Sequence, residues 1–327
     1  MDNKYHLVGQ IDLENLNKII IPVTKNVFNS RISEIKRFPT GSCHFVYDAV
    51  LESWENLVFR IGYSDSNKAK IGWSVFWHGK LKELGIKIPA LLYHDVSCIE
   101  YGKPFTVSER IRWDDIWNAI DSLTDENLDL IAKEIAGIQN RISTLEPWRW
   151  FWEMTSYDDA NLKGKWREFV LEKFEKAKMA LSEGGIFDDS YIERVREALD
   201  RNSWYLENVK GTMFFDDITS KNIIVDNSEF SWVVDFDTMT CWDRLYWLGL
   251  CNMAFIYLER EIYISYLIRY LGCSEDDISA MNLYTLLFCL DFMSEIGQKF
   301  NKEEAIIDYI KAERYKSIFE RICNNIK

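Results

Sequence analysis

Proline is scarce, five in 327 residues, and no stretch is rich in Gly, Ser and Pro, so nothing reads as a flexible linker or low-complexity tract. No repeat at solenoid spacing is present. The four histidines, His6, His44, His78 and His94, fall in no HExxH or other metal-ligating spacing, which argues against a zinc enzyme. Neither G-x-S-x-G nor G-x-x-x-x-G-K-S/T occurs, so the signatures of a serine-hydrolase elbow and of a P-loop are both missing. The seven cysteines are odd in number and contain no CxxC pair, as expected of reduced thiols in a cytoplasm. The longest apolar run, Leu245 to Leu258, is 14 residues with Asn252 inside it and Glu259-Arg260-Glu261 after it. That is too short to span a bilayer and reads as a buried helix. Met1-Asp2-Asn3-Lys4 leads into a mixed polar segment, not the apolar core of a signal peptide. The expectation is a soluble, cytoplasmic protein without a membrane partner.

What is present supports a well-filled interior. The hydrophobic fraction is 47% and the aromatic fraction 15%, which excludes wholesale disorder. The length suits two modest domains or one large two-lobed one. The net charge of −13 is spread along the chain; it repels nucleic acid and favours cationic ligands, although solubility alone also accounts for it.

The first third is strand-rich. Phe45 to Leu51 and Leu57 to Ile61 are β-branched and aromatic, with turn-like residues between them. A helix is expected from Ala69 to Leu84, closed by Gly85, and two further strands at Ile86 to Leu92 and Phe105 to Ser108. From about Trp113 the period turns helical. Leu128, Ile131, Ile135, Ile138 and Ile142 mark one helix face, with Thr124 as its N-cap, and helices follow at Trp166 to Leu181 and Tyr191 to Leu199, divided by Gly184-Gly185. Helical pattern returns at Leu245 and runs to Lys327. One hairpin interrupts it: Ile223-Ile224-Val225, a turn at Asp226-Asn227-Ser228, then Trp232-Val233-Val234.

Acidic residues stand at both ends of that hairpin. Before it lies Phe215-Asp216-Asp217-Ile218-Thr219-Ser220-Lys221-Asn222, containing D-x-x-x-x-N, and after it Asp235-Phe236-Asp237. Phosphoryl transfer requires a carboxylate beside the attacking hydroxyl and oxygen ligands for magnesium. D-x-x-x-x-N alone fits many surface loops; with a second carboxylate across a hairpin the pattern is much more specific.

The segment resembles the catalytic loop of the aminoglycoside phosphotransferase and choline kinase superfamily, commonly H-G-D-x-x-x-x-N followed by an I-D-F/W metal motif. The resemblance implies that Asp217 orients and deprotonates the substrate hydroxyl and that Asn222 and Asp235 hold Mg2+. Phe215 and Asp216 stand where that family has histidine and glycine. Other pieces fall in the family's order. Phe38 to His44 parallels the nucleotide-covering loop, so Gly41 and Ser42 would lie over the phosphates. Arg60 matches the strand cation that grips the α/β-phosphates, and Val107-Ser108-Glu109-Arg110-Ile111 matches the segment where the Glu109 carbonyl and Ile111 amide meet the base. Trp242-Asp243-Arg244-Leu245-Tyr246 parallels G-D-P-L-Y, whose aspartate usually braces the catalytic loop. The helix from Lys70 to Lys82 lacks the acid that kinases pair with the strand cation, so either Arg60 is held otherwise, by Asp235 for instance, or the site is degraded. The aromatic run from Trp148 to Trp152 either walls a substrate or fills lobe packing.

The expected architecture is α+β, a two-lobed protein-kinase-like fold. Residues 1–112 would form an N-terminal nucleotide-binding lobe with an antiparallel sheet and helix, and residues 113–327 a larger, mainly helical catalytic and substrate-binding lobe. ATP or GTP with Mg2+ would phosphorylate a small hydroxylated acceptor, a cationic antibiotic such as an aminoglycoside being one candidate. The rival reading is a catalytically weak nucleotide-binding pseudokinase or scaffold.

Overall fold

Alternation builds the first sheet: Tyr47, Ala49 and Leu51 of one strand and Leu57, Phe59 and Ile61 of the next are buried, while the residues between them face the other side. The computed structural model describes residues 5–6, 9–38, 44–53, 55–64, 67–112, 114–145, 165–235, 239–298 and 307–324. Gly41, Ser42 and the Trp148–Trp152 run lie outside them, as do Asp158 and Asp159, acids in a segment expected to border the acceptor. The chain divides into two units, one made of Met1–Arg112 with Trp232–Thr238, the other of most of the chain from Trp113 to Lys327.

The first unit runs β1 (Tyr5–His6), α1 (Gln10–Asn15), a π-helical turn (Leu16–Ile20), α2 (Ile21–Asn26), β2 (Ile32–Arg37), β3 (His44–Leu51), β4 (Asn56–Gly62), α3 (Lys68–Glu83), β5 (Leu91–Asp95) and β6 (Phe105–Glu109). The strands form one sheet in the order β1-β2-β3-β4-β6-β5, antiparallel except for the β1–β2 pair. Leu16, Ile19, Ile20 and Val23 pack in one core with Ile35, Tyr47, Phe59, Phe105 and Val107 of the sheet. A buried polar chain crosses this core. The Tyr47 hydroxyl donates to Asp12 at 2.7 Å, Asn15 donates to that hydroxyl at 2.9 Å, and Lys103 donates to Asn15 at 2.9 Å. Every member finds a partner, as buried polar groups must.

The strand expected from Ile86 does not begin until Leu91. Pro89 has no N–H to give a ladder. The buried His78 ring instead holds this stretch, with Nε2 2.9 Å from the Pro89 carbonyl oxygen and 3.1 Å from the Leu91 amide nitrogen. Burial lowers the pKa of His78, favouring the neutral ring.

After Arg112 follow β7 (Asp114–Asp115), α4 (Ile116–Ala119), α5 (Asp125–Ile142), α6 (Trp166–Gly184), α7 (Ser190–Arg201), α8 (Ser203–Asn208), β8 (Thr212–Phe214), β9 (Ile223–Asp226), β10 (Glu229–Val233), β11 (Thr240–Trp242), α9 (Arg244–Tyr257), α10 (Ile262–Leu271), α11 (Glu275–Ser294) and α12 (Tyr309–Cys323). Thr124 does cap α5, accepting from the Asn127 amide at 3.2 Å while the Asn127 side chain accepts from the Thr124 amide at 2.9 Å, a reciprocal capping box. Gly185 ends α6 at φ 61. The hairpin turn is Asn227-Ser228, both with positive φ (49 and 65), and the second strand starts at Glu229, three residues before the expected start at Trp232. Two left-handed residues match the twist of the flanking strands, and Asn is well suited to that region. The support the hairpin needs comes from β7, in a sheet ordered β10-β9-β7. No helix among the described residues is long and apolar enough to cross a membrane.

Helices α9 and α11 meet at Gly249, where an added Cβ would lie 2.7 Å from Tyr284 Cβ and 3.0 Å from the Met281 carbonyl oxygen and Thr285 nitrogen. Alanine gains up to about 1 kcal/mol over glycine in a helix. Backbone atoms of α11 cannot swing aside as a side-chain tip can, so the clash wins. Gly249→Ala is expected to destabilise the protein by about 1–3 kcal/mol, read as a lowered midpoint in urea at unchanged slope.

Candidate active site

Asp217 lies in the loop between β8 and β9, a stretch anchored on each side by side chains from two helices. β8 pairs with β11 through Phe214 and Thr240, which ends the regular ladder one residue before Phe215. There the buried Gln139 of α5 takes over, donating from Nε2 to the Phe215 carbonyl at 2.7 Å and accepting at Oε1 from the Phe215 amide at 3.0 Å. On the far side, the Ile218 carbonyl accepts from Trp247 Nε1 at 2.9 Å and from the Cys251 thiol at 3.5 Å, both on α9. Burial first, and then the negative charge of Asp217, push the Cys251 thiol far above its ordinary pKa, so it stays a neutral donor. Between these anchors Asp216 is half-buried and Asp217 exposed.

Asn222 stands with Asp217 at the other end of the loop. Its Nδ2 donates to the Asp217 carbonyl at 2.9 Å, which leaves Oδ1 as the ligand-capable atom. The Thr219 carbonyl accepts from the Asn222 amide at 3.0 Å, so the loop closes as a tight turn before β9. Lys221 sits over the Trp117 ring at 4.9 Å, and the Trp117 amide donates to the Ser220 carbonyl at 3.0 Å. Asp217 and Asn222 are thus brought together in the second unit.

Arg60 and Asp235 are brought together in the first. Arg60, mid-strand in β4 on the face opposite Phe59 and Ile61, forms an ion pair with Asp235. The Val233 amide donates to the Lys87 carbonyl at 2.9 Å and ties the segment leading to Asp235 into the same unit. Asp235 adopts φ 62, the left-handed region. Of the two readings left open by the acid-free helix, the structure gives the first: Arg60 is held, and by Asp235. In α3, Ser74 is turned inward and donates to the Ile71 carbonyl at 2.8 Å.

At the end of β6 the chain is held by side chain and backbone together. The Glu109 side chain is employed structurally, its Oε1 accepting from the Ala90 amide at 2.7 Å, while its own amide donates to the Ala90 carbonyl at 3.0 Å. Arg110 donates to Asp48 at 3.1 Å, lies over the Phe38 ring at 5.3 Å and donates to the Ile111 carbonyl, so the Glu109–Ile111 backbone is fastened to β3.

Asp243 does not brace the loop. Its buried carboxylate caps α9 through the Leu245 amide at 3.0 Å and accepts from the hydroxyls of Tyr205 at 2.5 Å and Tyr284 at 2.7 Å. Burial raises its pKa against these donors. It holds helices together, and the bracing falls to Gln139, Trp247 and Cys251. Only partners distant in sequence reveal these three: a glutamine on an amphipathic helix and a Trp and Cys in an apolar run look like ordinary helix residues.

Asn222 offers an amide oxygen and Asp235 a carboxylate, each a hard oxygen ligand of the kind that suits magnesium. Among the described residues no group of three or more His, Cys, Asp or Glu side chains is placed to hold a metal.

Residues 34–284, most of the chain, match the model of the family described as the phosphotransferase enzyme family. Among curated protein sequences nothing matches. Several solved structures are similar in fold. The GDP and kanamycin complex of APH(2")-IIia is 13% identical with a TM-score of 0.68, covering 95% of this chain and 99% of that one. A thermostable mutant of aminoglycoside phosphotransferase APH(4)-Ia, in ternary complex with AMP-PNP and hygromycin B, is 14% identical with a TM-score of 0.63, covering 93% and 97%. ADP-bound aminoglycoside phosphotransferase APH(2'')-Ib is 12% identical with a TM-score of 0.60, also covering 93% and 97%. At these identities the likeness is one of fold.

Proposed function

Because the chain belongs to the phosphotransferase enzyme family, we propose that it moves the γ-phosphoryl group of ATP or GTP to a hydroxyl of a small cationic molecule such as an aminoglycoside. The observation that carries this is the loop itself: Asp217 and Asn222 sit on one short turn, with the Asn222 amide nitrogen spent on the Asp217 carbonyl and its oxygen left for a metal. In the reaction the acceptor oxygen bonds to the γ-phosphorus as the bond from that phosphorus to the β,γ-bridging oxygen breaks. Asp217 takes the hydroxyl proton, and the nucleoside diphosphate leaves. Asn222 and Asp235 would hold Mg2+, which when bound supplies charge neutralisation across the β- and γ-phosphates. Arg60 grips the α/β-phosphates, Gly41 and Ser42 cover them, and the Glu109 carbonyl and Ile111 amide receive the base.

The test is magnesium-dependent turnover of ATP and GTP against a panel of aminoglycosides, macrolides, amino alcohols and sugars, with mass detection of a phosphorylated product. Nucleotide binding with no transfer to any acceptor and no hydrolysis would favour the rival role of a nucleotide-binding pseudokinase or scaffold, for which the absence of an acid from Lys70 to Lys82 speaks.

The cationic preference rests on the net charge of −13 and on Asp291 of α11 and Glu295 just past its end, whose carboxyls are raised above the ordinary range, chiefly by burial. Lys173, Lys176 and Lys311 from neighbouring helices partly offset them. Removing ionic strength from about 0.1 M to about 0.01 M lengthens the Debye length from about 10 to about 30 Å. The KM for a cationic acceptor is expected to fall several-fold over that change; a best substrate with a salt-insensitive KM would sink the idea. The sign with pH is set by the raised carboxyls: they must ionise to attract an ammonium, so acceptor affinity should climb as pH rises through a range above that of ordinary carboxylates.

A further inference from the structure

We infer that Gln139 is the positioning residue of the catalytic loop, doing with one side chain what a neighbouring strand would do. This rests on the reading of Asp217 as the base. In an extended chain the N–H and C=O of one residue point to the same side, and a partner strand satisfies both. Beyond Phe214 the ladder with β11 stops, yet both polar groups of the Phe215 backbone are met, by Nε2 and Oε1 of the same amide. A primary amide offers a donor and an acceptor side by side in one plane. The assignment of its oxygen and nitrogen is fixed here, since the Phe215 amide can only donate and its carbonyl only accept.

The placement gives the clamp its role. Phe215 is two residues before Asp217, and its own ring is buried, so backbone and side chain are both immobilised at that point. Trp247 and Cys251 fasten Ile218, one residue after Asp217, and Asn222 fastens the Asp217 carbonyl. Asp216 and Asp217 are therefore suspended between two fixed peptides, and α5, capped at Thr124 and buried along its Ile131, Ile135 and Ile138 face, is the rigid mount for the first. A histidine stands at the Phe215 position in the sequences this loop resembles; here Phe215 gives only packing from its ring, and Gln139 supplies the polar restraint through the backbone.

The experiment compares Gln139→Met, close in volume and without either bond, with Val195→Ala, a buried change on α7, a helix packed against α8 and α11, that lowers stability. The readouts are magnesium-dependent ATP hydrolysis, with water as the acceptor, well below each variant's Tm, and amide hydrogen exchange at Phe215. Expected for Gln139→Met are a kcat lowered about tenfold to hundredfold with the ATP KM within a few-fold of wild type, and exchange at Phe215 accelerated at least about tenfold. Val195→Ala should keep its kcat. If Gln139→Met does not fold, Gln139→Glu retains the acceptor for the Phe215 amide, and a kcat loss at unchanged KM is expected there too. A Gln139→Met enzyme turning over at the Val195→Ala rate, beside an inactive Asp217→Asn, overturns the positioning role alone. An Asp217→Asn enzyme at full rate overturns the base assignment and this inference with it.

Discussion

Asp217→Asn should lower kcat by about 10²–10⁴-fold while leaving nucleotide KM nearly unchanged, and Asp216→Asn should cost far less. Asparagine keeps the shape of aspartate and removes the proton acceptor, so a loss confined to kcat isolates the proton transfer. Register decides between the two neighbours. Asp217 stands five residues before Asn222 and Asp216 six, and only Asp217 has its carbonyl tied to the Asn222 side chain. The two residues occupy successive positions of a turn after β8, and Asp216 is half-buried where Asp217 is exposed. Both cannot face one hydroxyl. Steady-state kinetics on the two variants, beside a magnesium titration of Asp235→Asn, checks this; a dead Asp216→Asn with an active Asp217→Asn would move the register by one and unseat Asn222 and Asp235 as ligands.

Arg60→Ala should raise the nucleotide KM by roughly tenfold to hundredfold, which corresponds to about 1.5–3 kcal/mol, the worth of a hydrogen bond to a charged group. Its effect on stability should be small. The Arg60 side chain is 20% exposed and that of Asp235 47%, and pairs so open to solvent contribute about 0–1 kcal/mol to folding. A large change in KM at nearly constant Tm is therefore the signature of a phosphate grip. Arg60→Lys should recover part of the loss, since a lysine supplies charge without the planar fork. Unchanged KM and kcat in Arg60→Ala would remove this residue from the nucleotide site.

Much of this fold could be read from local pattern because local pattern causes it. The alternation in β3 and β4, the 3–4 spacing and threonine cap of α5, and the glycine after α6 are each sufficient signals over a few residues. The first helices were harder. Leu16, Ile19, Ile20 and Val23 do step by three and four, but Pro22 and flanking polar residues shorten the signal. The first half of the strand expected at Ile86 failed for a different reason: Ile86 and Ile88 are buried, yet Pro89 and the His78 ring hold this stretch outside the ladder. At the site, Asp217 and Asn222 share one loop and are visible in the sequence as a spacing. Arg60 and Asp235 are 175 residues apart, and Gln139 and Phe215 are 76 apart. Neither pairing leaves a periodic trace, and Asp243 looked like a loop brace until its tyrosine partners, from α8 and α11, were in view.

The left-handed backbone at Asp235 narrows the substitutions open to descendants of this chain. Residues other than glycine meet a steric penalty at φ 62, relieved most for aspartate and asparagine, whose short polar side chains bond locally. Glutamate has the same charge and a longer reach, but no such relief. Drift at this position is thereby channelled toward asparagine, which keeps an oxygen and loses the charge that Arg60 pairs with, or glycine, which keeps the turn and loses both. Backbone geometry, before any selection on chemistry, makes aspartate the one residue there that satisfies conformation and cation together.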